Sequence, residues 1–140
     1  MLLSREQILE AKDLKTEDVP VPEWAPEGAE NPNDYEVRLR TLIGEERDRF
    51  ERFMAEGQAG GKKKQNLENF RARMITMCAV DDQGKPLFTT GDIKALGMKS
   101  SVALSRVFNK CQEMNGFTEA DVEELTEDFD EGQDEPSTSG

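Results

Sequence analysis

The chain has two cysteines, Cys78 and Cys111, and no histidine. A structural zinc site draws four ligands from Cys and His at short, regular spacings. These two thiols stand far apart in the sequence, each inside a helical apolar pattern, and both read as small buried hydrophobes. Without histidine the chain lacks the usual general base, the commonest metal ligand and the commonest activator of a nucleophile. Carboxylates are abundant, but no pair is set apart for acid–base work. The residues therefore assign no catalytic, cofactor or metal site, and the expected class is a non-enzymatic binding protein.

Three charged constellations remain. The formal net charge is −12, and residues 118–140 carry ten acids and no base. Within that end, Asp128-Phe129-Asp130-Glu131-Gly132-Gln133-Asp134 has alternating acids, as a calcium loop does. The EF-hand template needs Gly at its sixth position and Glu at its twelfth; counted from Asp128 these are Gln133 and Ser139, so the match fails. Lys62-Lys63-Lys64 could meet an acidic partner, but without aromatics it reads as a solvated loop. Residues 90–114 have the helix, Gly97 turn, helix order of a helix-turn-helix. Ser100, Ser101, Ser105, Arg106 and Lys110 would then face DNA, and a small DNA-binding regulator is the alternative function. The apolar stripe Leu104, Val107, Phe108 lies one position out of that motif's register, and an acidic chain is a poor match for a phosphate backbone.

The remaining chemistry is apolar. Phe50, Phe53, Met54, Phe70, Met74, Met77, Met98, Phe108, Met114 and Phe117 are many for a chain with 35% hydrophobic and 34% charged residues. Most must form the core. Methionine adapts to irregular partners, so a subset could form a groove for an apolar helix. Phe50, Phe53, Met54, Phe70, Met74 and Met77 are the candidate client and self-association surface.

The elements that would carry these side chains follow from local signals. Ser4 and Gln7 make a capping box before a short helix with Ile8 and Leu9. Val19-Pro20-Val21-Pro22-Glu23-Trp24 must be extended, as an edge strand. Residues 25–34 form a loop, and Tyr35-Glu36-Val37-Arg38-Leu39-Arg40 alternates as a strand, so the two pair as a hairpin whose apolar face needs a partner. Ile43–Glu56 is a helix with Gly44 near its start and Gly57 at its end. A helix capped by Asn66 follows and reaches Cys78 or Ala79. Asp82–Pro86 is a turn leading into extended Leu87-Phe88. Thr90 caps a short helix that Gly97 stops in a left-handed conformation. Ser100 caps a helix closed by Gly116, and Thr118 begins a last one. The fold class is mainly α with an N-terminal β-hairpin (α+β). Residues 1–127 are expected to form one domain, with the hairpin part at 1–42, the helical part at 43–127 and a flexible loop near 57–65. Residues 128–140 are expected to be a disordered acidic tail. No apolar run reaches the roughly 20 residues a membrane span needs, and the rapidly charged start does not read as a secretory signal.

The order of these pieces resembles the tail assembly chaperones of long-tailed, siphovirus-type bacteriophages. The similar stretches are Leu3–Leu9, Val19–Trp24, Val37–Arg40, Gly44–Phe50, Asn69–Arg73, Asp82–Phe88, Asp92–Gly97 and Ala103–Phe108. The loop at 25–34 is longer than that pattern has between its strands. The resemblance implies a mainly helical protein that binds the tape-measure protein and keeps it soluble for tail tube polymerisation. It also implies self-association, a frameshifted longer form that reaches the tail tube protein, and an address in the host cell cytoplasm outside the mature virion. Neither nucleic acid nor membrane is an implied partner.

Overall fold

The computed structural model describes residues 1–59 and 69–116, and through 54–59 the backbone alone. Lys62–Lys64, the Asn66 cap, Phe117, the helix expected from Thr118 and the acidic tail lie outside the described residues, as does most of the loop expected near 57–65.

Helix α1 (Arg5–Glu10) is closed by both halves of the capping box: Gln7 N donates to Ser4 Oγ at 3.1 Å and Ser4 N to Gln7 Oε1 at 2.8 Å. Strand β1 (Thr16–Pro20) pairs antiparallel with β2 (Glu36–Arg40), placing Val19 opposite Val37 and Glu17 opposite Leu39. The expected hairpin is present with shifted bounds. β1 starts at Thr16, and Pro22–Trp24 is not strand but a turn of 3-10 helix with proline at its first position, where the fixed φ and missing N–H are tolerated. A second such turn, Pro32–Asp34, leads into β2, and between them Ala29 N donates to Pro26 O at 3.2 Å with Gly28 at φ +84, so the long loop is built of three proline-initiated turns.

The sheet has a third strand that the sequence reading missed. Helix α3 (Phe70–Cys78) ends as Ala79 turns extended, and β3 (Ala79–Val80) pairs antiparallel with β2, which becomes the central strand. The Asp81 carboxylate accepts from Gln83 N at 2.8 Å and Lys85 N at 2.9 Å, and Gly84 supplies φ +81. This folds the chain back so that Leu87 N donates to Ala79 O at 3.0 Å.

Helix α2 (Gly44–Ala59) precedes α3; α4 (Ile93–Gly97) and α5 (Ser101–Met114) follow the turn. α3 packs on α4 and α5, and both α3 and α5 meet β2. The core lies between them, where Val19, Val21 and Leu39 from the sheet side meet Phe70, Met74, Ile75, Cys78, Leu104, Val107, Phe108 and Cys111. Phe70 and Phe108 meet edge to face, with ring centroids 5.2 Å apart. Both cysteines are buried, as small apolar residues would be.

Two caps differ from the sequence reading. Thr89, not Thr90, caps the turn before α4, with Asp92 reaching back to Thr89 N at 2.9 Å. Gly97 does not adopt a left-handed conformation; it lies inside α4, and a Cβ there would collide with the Asn69 side chain. Its role is close packing of α4 against the start of α3. Ser100 caps α5 and Gly116 follows it at φ +73, as the sequence implies.

Candidate docking site

The six apolar candidates separate by position. Phe50, Phe70 and Met74 are 3%, 4% and 1% exposed and belong to the core; they do not form an open surface on this chain. Phe53 and Met77 pack against the core while remaining half-buried. The Met54 side chain lies outside the described residues.

Phe53 and Met77 are brought together in a pocket of about 190 Å³ lined by Arg49, Phe50, Phe53, Arg73, Thr76, Met77, Thr90 and Ile93. Helical spacing explains most of the lining. Arg49 and Phe53 are four apart on α2, Arg73 and Met77 four apart on α3, so each helix turns an arginine and an apolar side chain to one side. The Thr90 turn and Ile93 complete the lining from α4. A dry cavity of about 150 Å³ admits a benzene-sized apolar group, so this one has room for an aliphatic side chain from a partner.

The electrostatics are unusual at Arg73. Its guanidinium lies 3.8 Å from the Phe53 ring centroid, a cation–π arrangement. Its Nε is buried without a hydrogen-bond partner, no carboxylate among the described residues pairs with it, and burial pulls its pKa below the usual arginine value. Arg49, by contrast, pairs with Glu45 at 3.3 Å. The site thus offers an apolar recess beside a partly dehydrated cation, which suits a side chain of leucine type next to a carboxylate. The sequence reading named Phe53 and Met77 but missed Arg73, Thr90 and Ile93; the Arg49–Phe53 and Arg73–Met77 spacings were the available signal.

A second apolar surface lies at the N-terminus. Leu3, Ile8 and Leu9 are 71%, 57% and 66% exposed, and no residue of α1 is buried. The capping box forms this helix locally; the other described residues do not cover it.

The cations of the helix-turn-helix alternative are committed elsewhere. Arg106 donates to both Glu23 carboxylate oxygens at 2.7 Å, and Lys110 pairs with Glu17 at 3.1 Å. Among the described residues no group of three His, Cys, Asp or Glu is placed to hold a metal ion, and no helix is long and apolar enough to cross a membrane.

Neither a family model nor a curated protein matches the chain. Among solved structures, the chain is similar to that of the bacteriophage HK97 tail assembly chaperone, at TM-score 0.49 and 20% sequence identity over 78% of this chain and 90% of that one.

Proposed function

We propose that the protein is a phage tail assembly chaperone that binds the tape-measure protein and keeps it soluble while the tail tube polymerises. Two things support the reading: the order of sequence pieces shared with that family, and the pocket between α2 and α3. The pocket carries the argument, because it couples an apolar recess at Phe53 and Met77 to Arg73, whose Nε is buried without a hydrogen-bond partner among the described residues. An amphipathic client helix meets such a site with one apolar anchor and a neighbouring acid, the helix-in-groove mode of recognition. Met54, one residue beyond Phe53 on α2, extends the same client surface in this reading.

On this reading residues 1–127 act as one unit that self-associates, and the acidic 128–140 keeps the assembly dispersed by charge repulsion. A frameshifted longer form carries the link to the tail tube protein. The protein works in the host cytoplasm and is absent from the finished particle, which mass spectrometry of purified particles tests. Binding is tested by co-expressing the chain with tape-measure fragments and measuring complex formation by size-exclusion chromatography with light scattering. Phe53→Asp abolishes the complex and leaves the circular dichroism spectrum unchanged. Retention of full client binding by a folded Phe53→Asp protein overturns the reading.

A further inference from the structure

Met1–Asp18 is exposed throughout, yet its centre is a formed helix. An isolated helix of six residues is marginal in water, and this one holds both capping hydrogen bonds. Leu3 and Ile8 occupy the two positions flanking the cap that a hydrophobic staple uses. With Leu9 they give the arm an apolar side that the other described residues leave uncovered. Glu10 follows Leu9 directly, and its carboxylate has no ion-pair partner among the described residues. The pocket between α2 and α3 presents the complement: an apolar recess at Phe53, Met77 and Ile93, and beside it Arg73, which pairs with no carboxylate among the described residues.

We propose that this pocket receives the N-terminal arm of a second copy, with Leu9 in the recess and Glu10 against Arg73, and that the arm must leave before a client helix enters. The inference rests on reading the pocket as the client site and adds a regulation of it. Size fits, since about 190 Å³ takes one aliphatic side chain with space comparable to cavities that bind small apolar groups. Charge fits, since each partner holds the sign the other lacks. A carboxylate pairing with the partly buried Arg73 guanidinium makes a charge-assisted bond stronger than one in open water. Reciprocal exchange of identical arms closes as a symmetric dimer, while one-way exchange propagates a chain of copies. In either geometry the arm is a competitor for the client site, and free copies keep their apolar pocket covered until a client displaces the arm.

A charge swap tests this on the full chain. Glu10→Arg and Arg73→Glu each reverse one side of the contact, and each variant alone sediments as monomer at concentrations where the wild type associates. Mixed together, they restore association, because the reversed arm of one meets the reversed pocket of the other. Glu10→Arg also frees the pocket: if the arm fills nine-tenths of pockets at rest, client affinity rises by about tenfold. Two results overturn the inference. One is association of both single variants at the wild-type level. The other is a mixture that stays monomeric. The client reading is judged separately by Phe53→Asp: loss of client binding there with a failed charge swap removes only the arm exchange, whereas unchanged client binding removes the pocket's function itself.

Discussion

Arg106 on α5 and Glu23 in the turn after β1 face each other as a two-pronged ion pair, both hydrogen bonds 2.7 Å long. The contact ties the first proline-initiated turn to the last described helix, across 83 residues of sequence. Hydrogen bonds from the Arg106 guanidinium, followed by the turn's own backbone N–H, hold the Glu23 carboxyl at a pKa of about 2, against 4.5 for a free glutamate.

That depression fixes the direction of a pH effect. Because the folded value is the lower one, the pair stabilises the fold fully above pH 4.5, and its contribution fades as pH falls towards 2. Around neutrality it contributes no slope. A carboxyl titration followed by NMR should give Glu23 a midpoint near 2, and Arg106→Gln should return it towards 4.5. A Glu23 midpoint unmoved by Arg106→Gln would show that the pair is not formed in solution.

Gly97 and Asn69 give a second prediction. Glycine inside an exposed helix normally gains about 1 kcal/mol on replacement by alanine. Here the new Cβ would occupy the place of the Asn69 side-chain Oδ1, with Ala72 Cβ also nearby at 3.9 Å. Gly97→Ala should therefore destabilise, by about 1–2 kcal/mol, as overpacked sites do. Asn69→Gly in the same chain should recover most of that loss, and the coupling is read from urea unfolding of the four proteins in a double-mutant cycle. Additive effects would mean that Asn69 moves aside at no cost.

Arg40 and Glu46 give a third. Their bidentate pair, at 2.8 and 2.7 Å, is largely buried, with side chains 14% and 18% exposed. Glu46 also accepts from Ile43 N at 3.0 Å, which helps start α2. Glu46→Ala leaves Arg40 without its counter-ion and one backbone donor without its acceptor, so the expected cost is about 2–3 kcal/mol. Replacing both partners by Leu and Met should cost less than Glu46→Ala alone, because no buried charge is then stranded. Chemical denaturation of the three variants gives the order.

What the sequence made legible was what is local. The Ser4–Gln7 and Ser100 caps involve residues three apart, and the alternation of Val37 and Leu39 marks β2 without knowledge of its partners. β3 was illegible for the opposite reason: Ala79 and Val80 are too few to show a period, and their pairing with Leu39 and Arg38 is a distant contact. Gly97 was misread because the sequence pattern of a helix stop is the same whether glycine is needed for its φ or for the approach of Asn69. The arm was legible as a helix but not as an uncovered one, since an amphipathic pattern is identical whether or not something packs on it. The docking site was half legible. Phe50, Phe53, Phe70, Met74 and Met77 belong to amphipathic stripes on α2 and α3, and residue type cannot say which edge of a stripe faces the core and which faces a partner.

That last ambiguity yields the sharpest contrast between neighbours on one helix. Phe70 and Met77 are both large apolar residues of α3, two turns apart. Phe70 is 4% exposed and meets Phe108 edge to face at 5.2 Å, so Phe70→Ala opens a cavity in the core and should cost about 3–5 kcal/mol. Met77 closes only part of its surface against the core and turns the rest into the pocket. Met77→Ala should cost about 1–2 kcal/mol, below the usual range for a fully buried methionine, while enlarging the recess that an apolar anchor must fill. Thermal unfolding and client binding measured on the same two variants should therefore dissociate: Phe70→Ala lowers Tm most, and Met77→Ala, still folded at the assay temperature, loses more client affinity per unit of stability. If the two losses run in proportion, Met77 acts only as a core residue and the pocket is a packing defect rather than a docking site.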